Sequence, residues 1–194
     1  MALTRLGLNQ SINLATNTTG NLNLTSQVTG TLPTGNGGTG ATSFSPGKIL
    51  QVLNVENDST TTTTNSSLQD TALALNITPS ATSSKIFIQI QPQLLAMSQT
   101  SAQAGLGFGI SREIDDANNT TVFETKYSYD GMYVGGGGNS SDDIRGYPFV
   151  AHLDSPNTTG VCRYKFRIKA YNSDTAVFNE ASGRSRMYLF GVRS

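Results

Sequence analysis

From Val161 to Tyr171 the side chains alternate without a slip: Cys162, Tyr164, Phe166, Ile168 and Ala170 fall on one side, Arg163, Lys165, Arg167 and Lys169 on the other. A period of two belongs to a β-strand with one face in a core and one toward solvent. No stretch of the chain holds the 3.6-residue period with helix formers, so the fold has to be made of strands.

Seven further segments carry strand signals: Lys48–Glu56, Thr71–Thr78, Lys85–Leu95, Ala104–Ile114, Thr120–Tyr129, Tyr147–Leu153 and Arg186–Val192. Leu73, Leu75 and Ile77 are in phase in one of them, Ile86, Ile88 and Ile90 in another. The polar run Ser59–Thr64 between the first two reads as a loop. In Ala104–Ile114, Gly105, Gly107 and Gly109 alternate with Leu106, Phe108 and Ile110, which predicts a bare face approached by another backbone or subunit. The last segment is apolar on both faces, as for a central strand or one covered by a partner chain. About eight short strands separated by turn signals predict an all-β fold: an antiparallel, jelly-roll-like β-sandwich over residues 46–194.

Residues 1–45 have a different texture. Their only charge is Arg5, Phe44 is their first aromatic residue, and their apolar residues come as isolated pairs at strand spacing, such as Leu6/Leu8 and Leu22/Leu24. Ordering a residue costs about 1–2 kcal/mol, and one buried leucine returns about 1.5–3. So sparse a segment cannot hold a shape alone. Either it is a disordered polar tail, or partner chains complete it, and three copies wound about one axis would let each leucine meet its equivalents. The expected organisation is an extended, trimerising β stalk at 1–45 and a sandwich head at 46–194.

Composition removes several functions. Lys+Arg 13 balance Asp+Glu 13, so no basic excess drives nucleic-acid binding. Only 13% of residues are charged, against roughly a quarter in an average soluble domain. No apolar run approaches the ~20 residues of a membrane span, and the start does not read as a signal peptide. Cys162 and His152 are the only residues of their kinds, too few for a metal cluster or a disulfide framework. His152-Leu153-Asp154-Ser155 assembles triad residue types, but Asp154-Ser155-Pro156 reads as a turn in which Asp and Ser cap backbone groups. Asp115-Asp116 and Asp142-Asp143 lack the spacing of a calcium loop. Neither an enzyme, a cofactor nor a metal is expected.

Two groups suit recognition. Tyr127, Tyr129, Tyr133, Asn139 and Asp142 surround the glycine-rich loop at 135–138 and combine amphipathic rings with adaptable hydrogen bonding, or the tyrosines simply pack the sheet. The stripe containing Arg163, Lys165 and Arg167 could grip anionic glycans, or it is a solvated face with Glu124 and Glu180 as counter-charges.

The string Thr29 to Thr42, containing GTLPTGNGGTGAT, resembles a collar that recurs in tail-fibre and fibre-like proteins of tailed bacteriophages. Pro46–Val52, Ile77–Ile86 and Leu153–Thr159 resemble, in that order, the head domain of marine-phage fibres. The resemblance implies a homotrimeric virion appendage with a head similar to the C1q/TNF-type trimeric β-sandwiches. Leu22, Leu24, Val28, Leu32, Gly35, Gly37, Gly38 and Gly40 would then form the trimer contact and collar. The N-terminus would anchor to other virion proteins, and the head would meet a host-surface glycan or protein. A stalk this brief fits a short tail fibre or spike, a capsid-bound head fibre or decoration protein, or a distal piece carried by another adhesin. Synthesis would be in the bacterial cytoplasm, leaving the Asn-x-Ser/Thr sequons unmodified.

Overall fold

The computed structural model describes residues 47–93, 95–98, 103–135, 143–172, 174–180 and 183–193; at 95–98, 134, 135 and 143 only the backbone is described. The expectations for the stalk and collar, and for Asn139 and Asp142, lie outside these residues.

Among the described residues thirteen antiparallel strands form three sheets, and no α-helix occurs. Sheet I has the order β1 (Ile49–Asn57), β13 (Ser185–Val192), β4 (Lys85–Gln91), β10 (Val150–Asp154). Sheet II has the order β3 (Gln69–Ile77), β11 (Cys162–Tyr171), β6 (Gln103–Ile114), β7 (Ala117–Glu124), with β8 (Met132–Gly135) also on β6. Sheet III is small: β2 (Thr61–Thr63), β12 (Thr175–Phe178), β5 (Leu95–Ser98), β9 (Asp143–Gly146). Taken alone, the eight strands of five residues or more alternate between sheets I and II as first, eighth, third, sixth against second, seventh, fourth, fifth. That interleaving is a jelly-roll sandwich.

The expected eight strands are these eight. The five others have three or four residues each. Three boundaries differ. The polar run at 59–64 contains β2, which pairs β12. The segment Lys85–Leu95 breaks at Pro92, which cannot donate to a ladder, and the chain leaves sheet I for β5 of sheet III. Thr120–Tyr129 ends as a strand at Glu124, so Tyr127 and Tyr129 lie on a loop.

One core joins sheets I and II. Ile86, Ile88, Ile90, Met187 and Leu189 meet Leu73, Leu106, Ile110, Tyr164, Phe166 and Ile168, all sealed from solvent. Within it sits a polar tie. Asp154, at the end of β10, accepts from Arg112 Nη1 at 2.5 Å and from Tyr164 Oη at 2.7 Å, both on sheet II. Asp154 therefore does not cap a turn, as its sequence context predicts; it ends a strand and faces the core. Burial would lower the Arg112 pKa, but the hydrogen bond and charge of Asp154 outweigh it and raise it. Burial, reinforced by Asp154, drives the Tyr164 phenol far above the ordinary tyrosine range. Removing one partner of such a buried pair leaves the other charge uncompensated.

We expect Asp154→Ala to destabilise the protein by about 3–5 kcal/mol in urea unfolding, and Tyr164→Phe by only about 1–2. Equal, small losses would show that the tie is solvated.

Candidate functional site

The glycine-lined face of β6 organises the surface of sheet II. β7 pairs β6 from Gly109 to Ile114, and β8 pairs the same edge from Gln103 to Leu106. Between them the chain swings off the ladder. Thr125 N donates to Phe108 O and Gly131 N to Leu106 O, each at 3.0 Å, and residues 126–130 bulge back over the sheet. Asp130 closes the bulge by accepting from Tyr127 N at 2.8 Å. A Cβ on Gly105 would lie 2.5 Å from Tyr129 Cβ and 2.8 Å from Tyr129 Cα; one on Gly107 would lie 3.0 Å from Ser128 Cα. Of the two expected approaches, backbone or subunit, the first is realised, by the chain's own strap. β6 is thereby buried on both faces from Ala104 to Ser111.

This packing gathers four tyrosines. Gly105 is opposite Tyr171 on β11 and opposite Tyr133 on β8, and the strap sets Tyr129 above it. Tyr129 meets Tyr171 edge-on at 5.1 Å between centroids and Tyr133 at 5.3 Å. Tyr127 stacks on Tyr129 at 5.2 Å and 8°, and the Lys126 ammonium lies 5.0 Å from the Tyr127 ring centre. Tyr127 and Tyr133 remain 45% and 47% exposed. Burial, then the neighbouring Tyr127 and Asp130, raise the Tyr129 pKa and keep its hydroxyl protonated. The structure thus brings three predicted residues together and adds Tyr171, whose alternation with the strand placed it on the cationic face. The signal for the strap was the Asp130-Gly131 dipeptide, a turn former directly after the expected strand Thr120–Tyr129.

The cationic stripe is largely neutralised. Lys165 Nζ binds Glu113 at 2.6 Å and Asp70 at 3.1 Å, and Arg167 reaches Asp70 at 2.7 Å and the Leu68 carbonyl at 2.8 Å. Lys169 is buried against Glu124 at 2.7 Å, the counter-charge expected for the stripe, whereas Glu180 pairs with Arg145. Arg163 is exposed. The hydrogen bond to Glu113, with Asp70, raises the Lys165 pKa. The stripe thus serves mainly as paired charge between strands.

Other candidates carry no reactive arrangement. His152 packs against Phe123 at 5.7 Å, while Asp154 is engaged by Arg112 and Tyr164. Burial raises the Cys162 thiol pKa, which makes it inert. Asp115 and Asp116, both at positive φ, form the β6–β7 turn, and Asp115 Oδ1 accepts from Val161 N at 2.8 Å. No cluster of three or more His, Cys, Asp or Glu occurs among the described residues. A cavity of about 340 Å³ with the hydroxyls of Thr78, Ser80 and Ser84 in its wall lies beside Leu50, and no titratable side chain lines it.

Sheet I has the opposite character. Val52, Phe190, Phe87 and Leu153 lie in direct register on its outer face, one from each strand. Phe87 and Phe190 are 5.8 Å apart, and Val52 and Leu153 are half exposed. The next row, Asn54, Tyr188, Gln89 and Ala151, is also uncharged.

No family model matches the chain, and no curated protein matches it. A solved structure of the D431N mutant VP2 protein of infectious bursal disease virus, from derived T=1 particles, is similar at 11% identity with a TM-score of 0.27. The match covers 74% of this chain and 36% of that one, so the chain spans about a third of its length. What sequence and geometry together define is a jelly-roll sandwich with an apolar row across one outer face and an aromatic, charge-paired other outer face.

Gly105→Ala should displace the strap at Tyr129, destabilise the fold by about 1–3 kcal/mol, and alter near-UV circular dichroism, to which tyrosine and phenylalanine alone contribute in a chain with Trp 0. Lys165, Tyr164 and Tyr129 all have folded pKa values above their ordinary ones. Their stabilisation is whole below about pH 10 and falls as pH rises through the folded values. Urea midpoints should therefore drop on the alkaline side; a flat profile would contradict these environments.

Proposed function

We propose that the chain is a homotrimeric short tail fibre or spike of a tailed phage, a non-enzymatic virion protein that anchors by its N-terminus and presents the sandwich to the host surface. The observation that carries this reading is the row Val52–Phe190–Phe87–Leu153. A contiguous apolar face on a soluble domain calls for a partner. Because its two central rows hold no charge, identical copies can meet there without like charges opposing each other. The proposed occupants are two further copies, each contributing the same face. The collar-like string at 29–42 and the head-like stretches beyond it supply the phage context. Tyr127, Tyr129 and Tyr133 lie on sheet II, pointing away from the proposed contact, where they stay available to a host.

Residues 47–194 should keep their β spectrum and sediment at three times the monomer mass. Phe190→Asp should reduce that fragment to a folded monomer. A full-length chain sedimenting at 20.5 kDa would overturn the reading. Labelled protein on phage particles separates tail from capsid: label confined to the capsid favours a head fibre or decoration protein.

A further inference from the structure

We infer that the tyrosine cluster around Gly105 is a binding site for a neutral saccharide, taken as a pyranose whose C–H face stacks on the exposed rings of Tyr127 and Tyr133. The inference rests on the proposed attachment role and names the ligand class.

The cluster holds more aromatic surface than the fold needs. Tyr129 covers Gly105 and Tyr171 lies opposite that glycine, so these two complete the sheet. Tyr127 and Tyr133 add nothing to that cover that water does not share, being nearly half exposed. Each is nonetheless fixed. Tyr127 is stacked on Tyr129 and its backbone amide is held by Asp130; Tyr133 is on a strand and contacts both inner rings. Rings immobilised before binding lose little entropy on binding. A flat ring with a polar hydroxyl at its edge matches a sugar, which has an apolar face ringed by hydroxyls.

Charge decides the class. On the same sheet, Lys165, Arg167 and Lys169 are turned to Asp70, Glu113 and Glu124. Beside the cluster, the Lys126 ammonium is close to the Tyr127 ring and the Asp130 carboxylate binds the Tyr127 amide. Among these groups Lys126 alone stands at the cluster without an ion pair, and one ammonium set against a ring is no cradle for a polyanionic glycan, whereas a neutral sugar needs none. Repetition suits such a site as well, because a stacked sugar is held weakly and several copies on one particle gain by avidity.

The test is saturation-transfer NMR on the full-length protein with the methyl glycosides of glucose, galactose, mannose and N-acetylglucosamine as neutral probes and methyl sialoside as the anionic one. Transfer to ring C–H protons of at least one neutral probe is expected, falling about tenfold with Tyr127→Ala or Tyr133→Ala and unchanged with Tyr147→Ala, an exposed tyrosine outside the cluster. Transfer to none of the neutral probes, preference for the sialoside, or loss only in Tyr147→Ala overturns the inference. So does binding of host cells that depends on Tyr127 and Tyr133 but survives removal of their surface glycans, which would mark a protein receptor. Sedimentation of the same samples keeps the two claims apart: a trimer that binds no sugar sinks the saccharide site alone, and a monomer sinks the appendage reading.

Discussion

Gly105, Gly107 and Gly109 leave β6 with bare backbone on one side, and what fills that space sets the rest of sheet II. A side chain at Gly105 would collide with the strap backbone at Tyr129. With glycine there, the strap lies directly on the sheet, and its return bonds to Phe108 and Leu106 hold it at both ends. β6 then becomes a central layer, carrying core contacts below and strap contacts above. Glycine weakens a strand by itself; here the loss is offset by aromatic cover, with Tyr129 above and Tyr171 and Tyr133 on either flank. The tyrosine cluster is thus a consequence of the glycine row.

The long strands were legible because each buries one face, and burial imposes the period of two. Val161–Tyr171 is the clearest case, and β11 matches it to within a residue. The short strands were not legible. Thr61–Thr63 carries no apolar signal because it is paired at an edge of sheet III. Its placement comes from hydrogen bonding at Asn179, whose amide holds Asn57 O and Ser59 O while its side-chain oxygen accepts from Ser185. The contacts to Asn57 and Ser59 span more than a hundred residues of sequence and leave no local pattern. Lys85–Leu95 misled for another reason: hydrophobicity continues past Pro92 although the ladder cannot.

The candidate site was half legible. Clustered tyrosines near a glycine-rich loop marked the region, but their strand-like spacing hid the strap that orients them. The cationic stripe was legible as a pattern and ambiguous as a function. Part of its neutralisation comes from Asp70, brought beneath Lys165 and Arg167 by an irregularity in the β3–β11 register, where Thr71 Oγ1 satisfies the Phe166 carbonyl. Alternation within one strand cannot reveal a bulge in its neighbour.

The two outer faces constrain each other. Sheets I and II are glued through one core, so their free faces point in opposite directions. If copies associate through the uncharged row on sheet I, closure about a threefold axis turns every sheet II outward. Each copy then displays Tyr127 and Tyr133 away from the axis, and no subunit can screen its neighbour's cluster by the contact that joins them. The Asp154 tie adds rigidity to this arrangement: it spans from β10, at the edge of sheet I, to β6 and β11 in the middle of sheet II. A shift of one sheet over the other would strand the Arg112 charge. The same buried ion pair that ties the two sheets therefore also holds their two outer faces in a fixed relation.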